Sequence, residues 1–146
     1  MAQYAEFMAN HWILASSWVV LVGLFIASFF HGKARGASAL GPMAVTQLIN
    51  HDNAAVLDIR EQGAFVGGHI LGALNAPFKS LAQRLEGEEL EAYKERPIVI
   101  CCQDGITSKK AVSLLTKAGF EKLYLLQGGI SEWRNANLPL SKGRRK

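Results

Sequence analysis

Two adjacent cysteines, Cys101 and Cys102, are the residues of this chain best suited to chemistry, and they are its only cysteines. Neighbouring residues on an extended strand point to opposite faces, so a disulfide between them is not expected. The four histidines are not spaced to complete a zinc site with them, and no metal is predicted. Thiols without a structural bridge favour a reducing compartment.

Cys102 is the predicted nucleophile because it ends an apolar run, 97–102, just before a predicted helix. The residues that follow it are Gln103, Asp104, Gly105, Ile106 and Thr107. A loop between a strand end and a helix start can turn its backbone N–H groups toward an anion, and the helix dipole adds positive potential. A thiolate there is stabilised and nucleophilic. Gly105 supplies conformational freedom, and we expect Thr107 to cap the helix. The alternative is that Cys102 only fills the core.

The surrounding pattern predicts an α/β fold. Strands are predicted at 54–59, 73–75, 97–102 and 122–126, and helices at 45–50, 62–66, 80–93, 107–118 and 129–135. Apolar strands that alternate with helices indicate a parallel sheet with helices on both faces. Ligands bind such sheets at the carboxyl ends of the strands. Cys102 ends one strand and Asp58 and Arg60 lie at the end of another, so we expect all three at one rim.

An apolar segment, 12–30, precedes the domain and contains no charged residue. As a helix it would be about 28 Å long, close to the hydrocarbon thickness of a bilayer, and we predict a transmembrane helix. Residues 1–11 contain no Lys or Arg, whereas Lys33 and Arg35 follow the segment. The positive-inside rule then predicts an extracytoplasmic amino terminus and a cytoplasmic domain. A cleaved signal peptide and a buried core helix are less favoured alternatives.

The remaining boundaries follow from composition. Residues 31–42 are rich in Gly and small residues and predict a flexible linker, 43–140 form the domain, and 141–146 form a basic tail. The net charge of +4 equals the charge of Lys142, Arg144, Arg145 and Lys146. The domain therefore has no basic excess, and no nucleic-acid partner is expected.

Three motifs resemble the rhodanese family. Residues 58–77 match its D-x-R, G-H-I-x-G-A and N-x-P elements, 102–107 are similar to its active loop C-x-x-G-x-[RT], and 126–133 to its closing G-G-x-x-x-W. The resemblance covers about 43–140. It implies a rhodanese-like fold with a five-stranded parallel sheet, and a sulfurtransferase that works through a Cys102 persulfide by a ping-pong mechanism. It implies thiosulfate or a persulfide as donor, a thiol as acceptor, and no cofactor. Some bacterial members of the family are anchored by a single amino-terminal span, and resemblance to them implies that this protein lies in the bacterial inner membrane.

The same resemblance implies roles for residues outside the loop. Asp58 and Arg60 are expected to tie the rim loops together, with attraction of anionic donors as a second possibility for Arg60. His69 is expected to be structural rather than a general base, and Phe65 and Trp133 are expected to lie in the core.

This chain departs from the family pattern beside the nucleophile. Members that favour thiosulfate often have basic residues there, whereas this chain has Gln103 and Asp104. We therefore expect thiosulfate to be a poor donor. Cys101 is expected to point into the sheet, although a flexible strand end would let it resolve a persulfide.

Two other functions remain open. A phosphatase or arsenate reductase of related fold requires C-x5-R, but Thr107 and Ser108 stand where its arginine would fall. A non-catalytic rhodanese module that recruits a partner to the membrane is the alternative to an enzyme.

Overall fold

The computed structural model describes residues 12–31 and 36–143 of the chain. Contacts divide the chain into two compact units, 1–35 and 36–146. The predictions made for residues 1–11, for Lys33 and Arg35 and for the tail residues 144–146 lie outside the described residues.

Helix α1, Trp12–His31, is 20 residues long and confirms helical structure in the amino-terminal unit. Its described large apolar side chains, apart from the half-buried Val22, are 50–68% exposed. Among residues 12–31 and 36–143, however, no helix combines the length and the hydropathy needed to cross a membrane. The transmembrane helix predicted over 12–30 is therefore not supported, because crossing the hydrocarbon core requires both properties together.

The second unit alternates strands and helices as predicted. Its strands are β1 (Ser38–Leu40), β2 (Ala55–Asp58), β3 (Leu74–Asn75), β4 (Ile98–Cys101) and β5 (Leu123–Leu126). Its helices are α2 (Pro42–Asp52), α3 (Gln62–Gly67), α4 (Phe78–Leu85), a 3₁₀ helix (Glu88–Tyr93), α5 (Thr107–Lys117) and α6 (Gly129–Asn135). The strands form one sheet in the order β1-β5-β4-β2-β3, and every neighbouring pair is parallel. The α/β fold with a parallel five-stranded sheet is confirmed.

Strand β1 corrects the predicted linker. Residues 38–40 lie within the segment predicted as a flexible tether, yet they pair with 124–126 of β5 as an edge strand. The Gln127 N–H also donates to the Leu40 carbonyl oxygen at 2.9 Å. Main-chain pairing with a neighbour decides this strand, because three small or apolar residues carry no periodicity of their own.

A second difference concerns the helix predicted over 80–93. The structure divides it into α4 and the 3₁₀ helix, separated by Gly87 in an extended conformation (φ −90°, ψ 166°). Glycine weakens a helix interior, which explains the break.

The sheet separates two cores. One contains Leu81, Leu90, Ala111 and Leu115 from α4, the 3₁₀ helix and α5, and the other contains Val45, Phe65, Ile130 and Trp133 from α2, α3 and α6. Helices therefore cover both faces, as the sequence predicted. Cys102 belongs to the first core and Cys101 to the second. The alternation of side chains along β4 thus places the two thiols on opposite faces.

Because the Cys101 thiol is fully buried, the stability of the domain decreases at alkaline pH. Burial raises the pKa of Cys101 well above its usual range, and the charge of Asp58 raises it further. Above the pKa of an unfolded cysteine, about 8.5, the unfolded chain loses this proton while the folded domain keeps it. The stability contribution is therefore complete below that pH and declines above it, by at most about 1.4 kcal/mol per pH unit.

We expect Cys101→Ala to flatten this alkaline decline when compared in a Cys102→Ser background, where Cys101 is the one titrating thiol. Denaturant unfolding of residues 36–146 between neutral and alkaline pH, followed through buried Trp133, measures the slope. Equal slopes of the unfolding free energy against pH in the two proteins would show that Cys101 has the same pKa in the folded and unfolded states.

Candidate functional site

Cys102 lies at the carboxyl edge of the sheet, directly after β4. Its side chain is buried, with 3% of its surface exposed, but it lines an open cavity of about 440 Å³. The apolar part of the wall comes from Ile59, Ala64 and Phe78, which lie after β2, in α3 and after β3. The thiol therefore forms part of the floor of a cavity that small molecules can enter.

A backbone amide of the loop is directed at the sulfur. The Gly105 N–H donates to Cys102 Sγ at 3.0 Å. Gly105 has φ +84°, in the region that favours glycine. The loop therefore directs a backbone hydrogen-bond donor at the Cys102 sulfur. The predicted role of Gly105 in curling the loop agrees with this geometry.

The Asp104 carboxylate lies beside the same sulfur. Its Oδ1 accepts the Ile106 N–H at 3.0 Å and also accepts the Cys102 S–H, with 3.8 Å between Oδ1 and Sγ. This local bond from an Asp side chain to the backbone two residues later is common in turns. The loop thus places an N–H donor on one side of the sulfur and a carboxylate on another.

The predicted capping role of Thr107 is wrong. Thr107 is the first residue of α5, the cap position is Ile106, and no side chain caps the helix. The Asp104 carboxylate takes the Ile106 N–H, and the buried Ser108 hydroxyl donates to the Gly105 carbonyl oxygen at 2.9 Å. Thr107 lines the cavity, as does Gln103. The free amide that a side chain does satisfy is that of Ile106, just before the helix, and the side chain is that of Asp104.

The amino end of α6 forms hydrogen bonds to two backbone carbonyl groups at the start of the loop. The Ile130 N–H donates to the Cys102 carbonyl oxygen at 2.9 Å, and the Ser131 N–H donates to the Gln103 carbonyl oxygen at 3.2 Å. Gly129, with φ +61°, permits this approach, since a Cβ there would lie 2.3 Å from the Cys102 carbonyl oxygen. The loop carbonyls are thereby fixed by the first amides of a helix, which need such acceptors.

Asp58 and Arg60 form a buried ion pair at the rim. Arg60 Nη2 lies 2.6 Å from Asp58 Oδ2, and Arg60 Nε donates to Asp58 Oδ1 at 3.0 Å. Arg60 also donates to the Gly68 carbonyl oxygen at 2.7 Å, and the Asn75 side-chain amide donates to the Arg60 carbonyl oxygen at 2.9 Å. These contacts join the loops after β2 and α3 to the last residue of β3, which agrees with the supporting role that the family resemblance implied.

His69 and its neighbours occupy structural positions. Its Nδ1 lies 2.9 Å from the Phe65 carbonyl oxygen, and its ring stacks on the Phe65 ring with 3.8 Å between centroids. Its backbone N–H and carbonyl oxygen both pair with Ser141 in one antiparallel bridge. Phe65 and Trp133 are buried in the core, as predicted. His69 is not among the residues that line the Cys102 cavity.

Sequence reasoning missed two parts of the site. Phe78 and the Lys79–Glu61 ion pair, with Nζ and Oε1 at 2.9 Å, lie at the cavity, and a hydrogen bond to Glu61 raises the pKa of Lys79. The loop contact of Gly129 was missed as well. The rule that parallel strands deliver ligands at their carboxyl ends could have found Phe78, which comes shortly after β3.

The known relatives agree with this arrangement. The family profile of the rhodanese-like domain matches residues 42–136. The chain is 30% identical over 144 residues to YibN of Escherichia coli K12, an uncharacterized protein, and the match covers 99% of this chain and 100% of YibN. It is 36% identical over 103 residues to the thiosulfate sulfurtransferase GlpE of Shewanella oneidensis, covering 68% of this chain and 98% of GlpE.

Solved structures show the same domain. The Alr3790 protein from Anabaena sp. is similar with a TM-score of 0.62 and 28% identity, over 70% of this chain and 81% of that chain. A thiosulfate sulfurtransferase from Pseudomonas aeruginosa is similar with a TM-score of 0.64 and 25% identity, over 75% of this chain and 20% of that chain.

Gly129→Ala should distort the loop, and Gly72→Ala is its matched control. Gly72 has φ +76° but open space around its missing side chain, so its substitution adds only backbone strain, about 1–2 kcal/mol. Gly129→Ala adds a clash with the loop backbone, so we expect a further cost of about 1–3 kcal/mol and an altered alkylation rate of Cys102. Chemical unfolding and iodoacetamide kinetics measure both effects. Equal behaviour of the two variants would mean that the contact between α6 and the loop does not position Cys102.

Proposed function

Since this chain belongs to the family of rhodanese-like domain proteins, we propose that it is a sulfurtransferase that carries sulfane sulfur on Cys102. One observation carries the proposal. The Cys102 sulfur lies at the floor of an open cavity and accepts the Gly105 N–H at 3.0 Å. A sulfur that is reachable and hydrogen-bonded in this way is suited to nucleophilic attack.

The reaction has two displacement steps. The Cys102 thiolate attacks the outer sulfur of the donor, a Cys102–sulfur bond forms, and the bond between the outer sulfur and the rest of the donor breaks. The donor leaves as a thiolate, or as sulfite when it is thiosulfate. A thiolate acceptor then attacks the outer sulfur of the Cys102 persulfide, takes it as a new persulfide and releases the Cys102 thiolate. Each step exchanges one sulfur–sulfur bond for another, so no external oxidant or reductant is needed.

The relatives and the loop support this reaction over phosphate chemistry. GlpE is named a thiosulfate sulfurtransferase. The loop between Cys102 and α5 is short, and Thr107 and Ser108 stand where a phosphate-clamping arginine would be required. The sulfur-loading experiment described below distinguishes an enzyme from a non-catalytic module.

We also propose that α1 associates the domain with the bacterial inner membrane, with the domain on the cytoplasmic side. The consecutive residues Trp18, Val19, Val20 and Leu21 are all 59–68% exposed and, at 100° per residue, they face nearly all sides of the helix. Apolar side chains that are exposed on nearly all sides of a helix are stabilised by an apolar surrounding, which lipid supplies. The match to YibN covers 99% of this chain and therefore includes α1. The match to GlpE covers 68% of this chain, about the length of the folded domain without α1.

The central prediction concerns sulfur loading of Cys102. Incubation with a sulfane-sulfur donor should add about 32 Da to the Cys102 peptide, and addition of a thiol acceptor should remove it. Cys102→Ser should abolish both loading and transfer, because a hydroxyl does not hold a sulfane sulfur under these conditions. Cys101→Ser, the matched control at the neighbouring residue, should retain most activity because its side chain faces the other core. A wild-type chain that no donor loads would favour the non-catalytic module, and transfer by Cys102→Ser would exclude Cys102 as the nucleophile.

Membrane association is tested by fractionation. The full chain should sediment with bacterial membranes and remain there after alkaline carbonate washing, because contact with lipid through apolar side chains does not depend on charge. Residues 36–146 alone provide the control and should stay in the supernatant. Recovery of the full chain in the supernatant would show that α1 has another role.

A further inference from the structure

The Asp104 carboxylate lies beside the Cys102 sulfur, with 3.8 Å between Oδ1 and Sγ. We propose that Asp104 determines specificity: its carboxylate takes the Ile106 N–H and repels oxyanion donors, so that the site prefers alkyl persulfides to thiosulfate. This inference rests on the proposed sulfurtransferase function and names the class of donor that the same site accepts.

The hydrogen bonds of the loop give the first argument. An oxyanion next to the transferred sulfur requires N–H donors that point into the cavity. The Gly105 N–H is directed at Cys102 Sγ at 3.0 Å, and the Ile106 N–H is directed at Asp104 Oδ1 at 3.0 Å. An incoming sulfonate group would therefore have to displace a charged side chain that the protein itself supplies.

The charges around the cavity give the second argument. Its two lining cations, Arg60 and Lys79, are each paired with a carboxylate, Asp58 and Glu61 respectively. The two ion pairs therefore add no net positive charge to offset Asp104, whose Oδ1 lies 3.8 Å from Cys102 Sγ. Thiosulfate brings two negative charges to this position. An alkyl persulfide brings at most one and has no oxyanion group.

The apolar wall gives the third argument. Ile59, Ala64 and Phe78 line the cavity together with Cys102. These side chains form no hydrogen bonds through their side-chain atoms and favour the alkyl part of a donor over a hydrated anion. Repulsion of oxyanions by Asp104 and attraction of alkyl groups by the apolar wall therefore both favour alkyl persulfides over thiosulfate.

The test measures the rate at which the full-length protein gains one sulfur on Cys102, without acceptor, from thiosulfate or from 2-hydroxyethyl persulfide. Asp104→Asn removes the charge but keeps an oxygen for the Ile106 N–H, whereas Asp104→Ala removes both. Asp52→Asn is the matched control, because Asp52 lies at the end of α2 just before β2, at the opposite edge of the sheet.

Loading from thiosulfate should increase in the order wild type, Asn variant, Ala variant. A full unit of repulsion at this distance corresponds to about tenfold in rate. Loading from 2-hydroxyethyl persulfide should change little, and Asp52→Asn should resemble wild type with both donors. Added salt should accelerate thiosulfate loading of the wild type more than that of the variants, because salt screens the repulsion.

Three results would overturn the inference. Unchanged thiosulfate loading in both variants would show that Asp104 does not select donors, and an equal rise with both donors would show that it acts on the Cys102 thiol instead. Equal thiosulfate rates in the Asn and Ala variants would contradict the occupation of the Ile106 N–H. These results differ from failure of the proposed function itself, in which neither donor would load wild-type Cys102.

Discussion

The active loop depends on one close approach, that of the amino end of α6 to the carbonyl of Cys102. The Ile130 N–H reaches this carbonyl at 2.9 Å, and a side chain at position 129 would overlap it at 2.3 Å. Because its carbonyl groups are hydrogen-bonded to α6, the loop can turn the Gly105 amide toward the Cys102 sulfur. The helix gains acceptors for its first amides in the same contact, so the stability of α6 and the position of the nucleophile have a common cause.

A buried ion pair holds the other wall of the cavity. Asp58 and Arg60 neutralise one another, and Arg60 also reaches the Gly68 carbonyl oxygen across the rim. Removal of one partner from such a pair is costly, typically about 3–5 kcal/mol, because the other charge is left buried without compensation. The pair is thus suited to fixing loops, and the charge of Arg60 is already compensated before any donor arrives.

These constraints leave the sulfur in a mixed environment. The Gly105 N–H is directed at the Cys102 sulfur, while the Asp104 carboxylate nearby opposes the approach of negatively charged groups. Apolar side chains complete the cavity. In the function proposed above, the selectivity of such a site depends on which hydrogen-bonding groups of the loop are already satisfied within the protein.

The sequence by itself determined the alternation of strands and helices, the placing of Cys102 after a buried strand and the opposite facing of Cys101, because periodicity and the geometry of a strand are local properties. It could not determine β1, whose three residues become a strand only by pairing with β5. Nor could it show that Asp104 rather than Thr107 takes the free amide before α5. The approach of Gly129 to Cys102 likewise joins residues far apart in the chain. Only the tertiary structure decided these features, because each depends on a partner that the fold brings near.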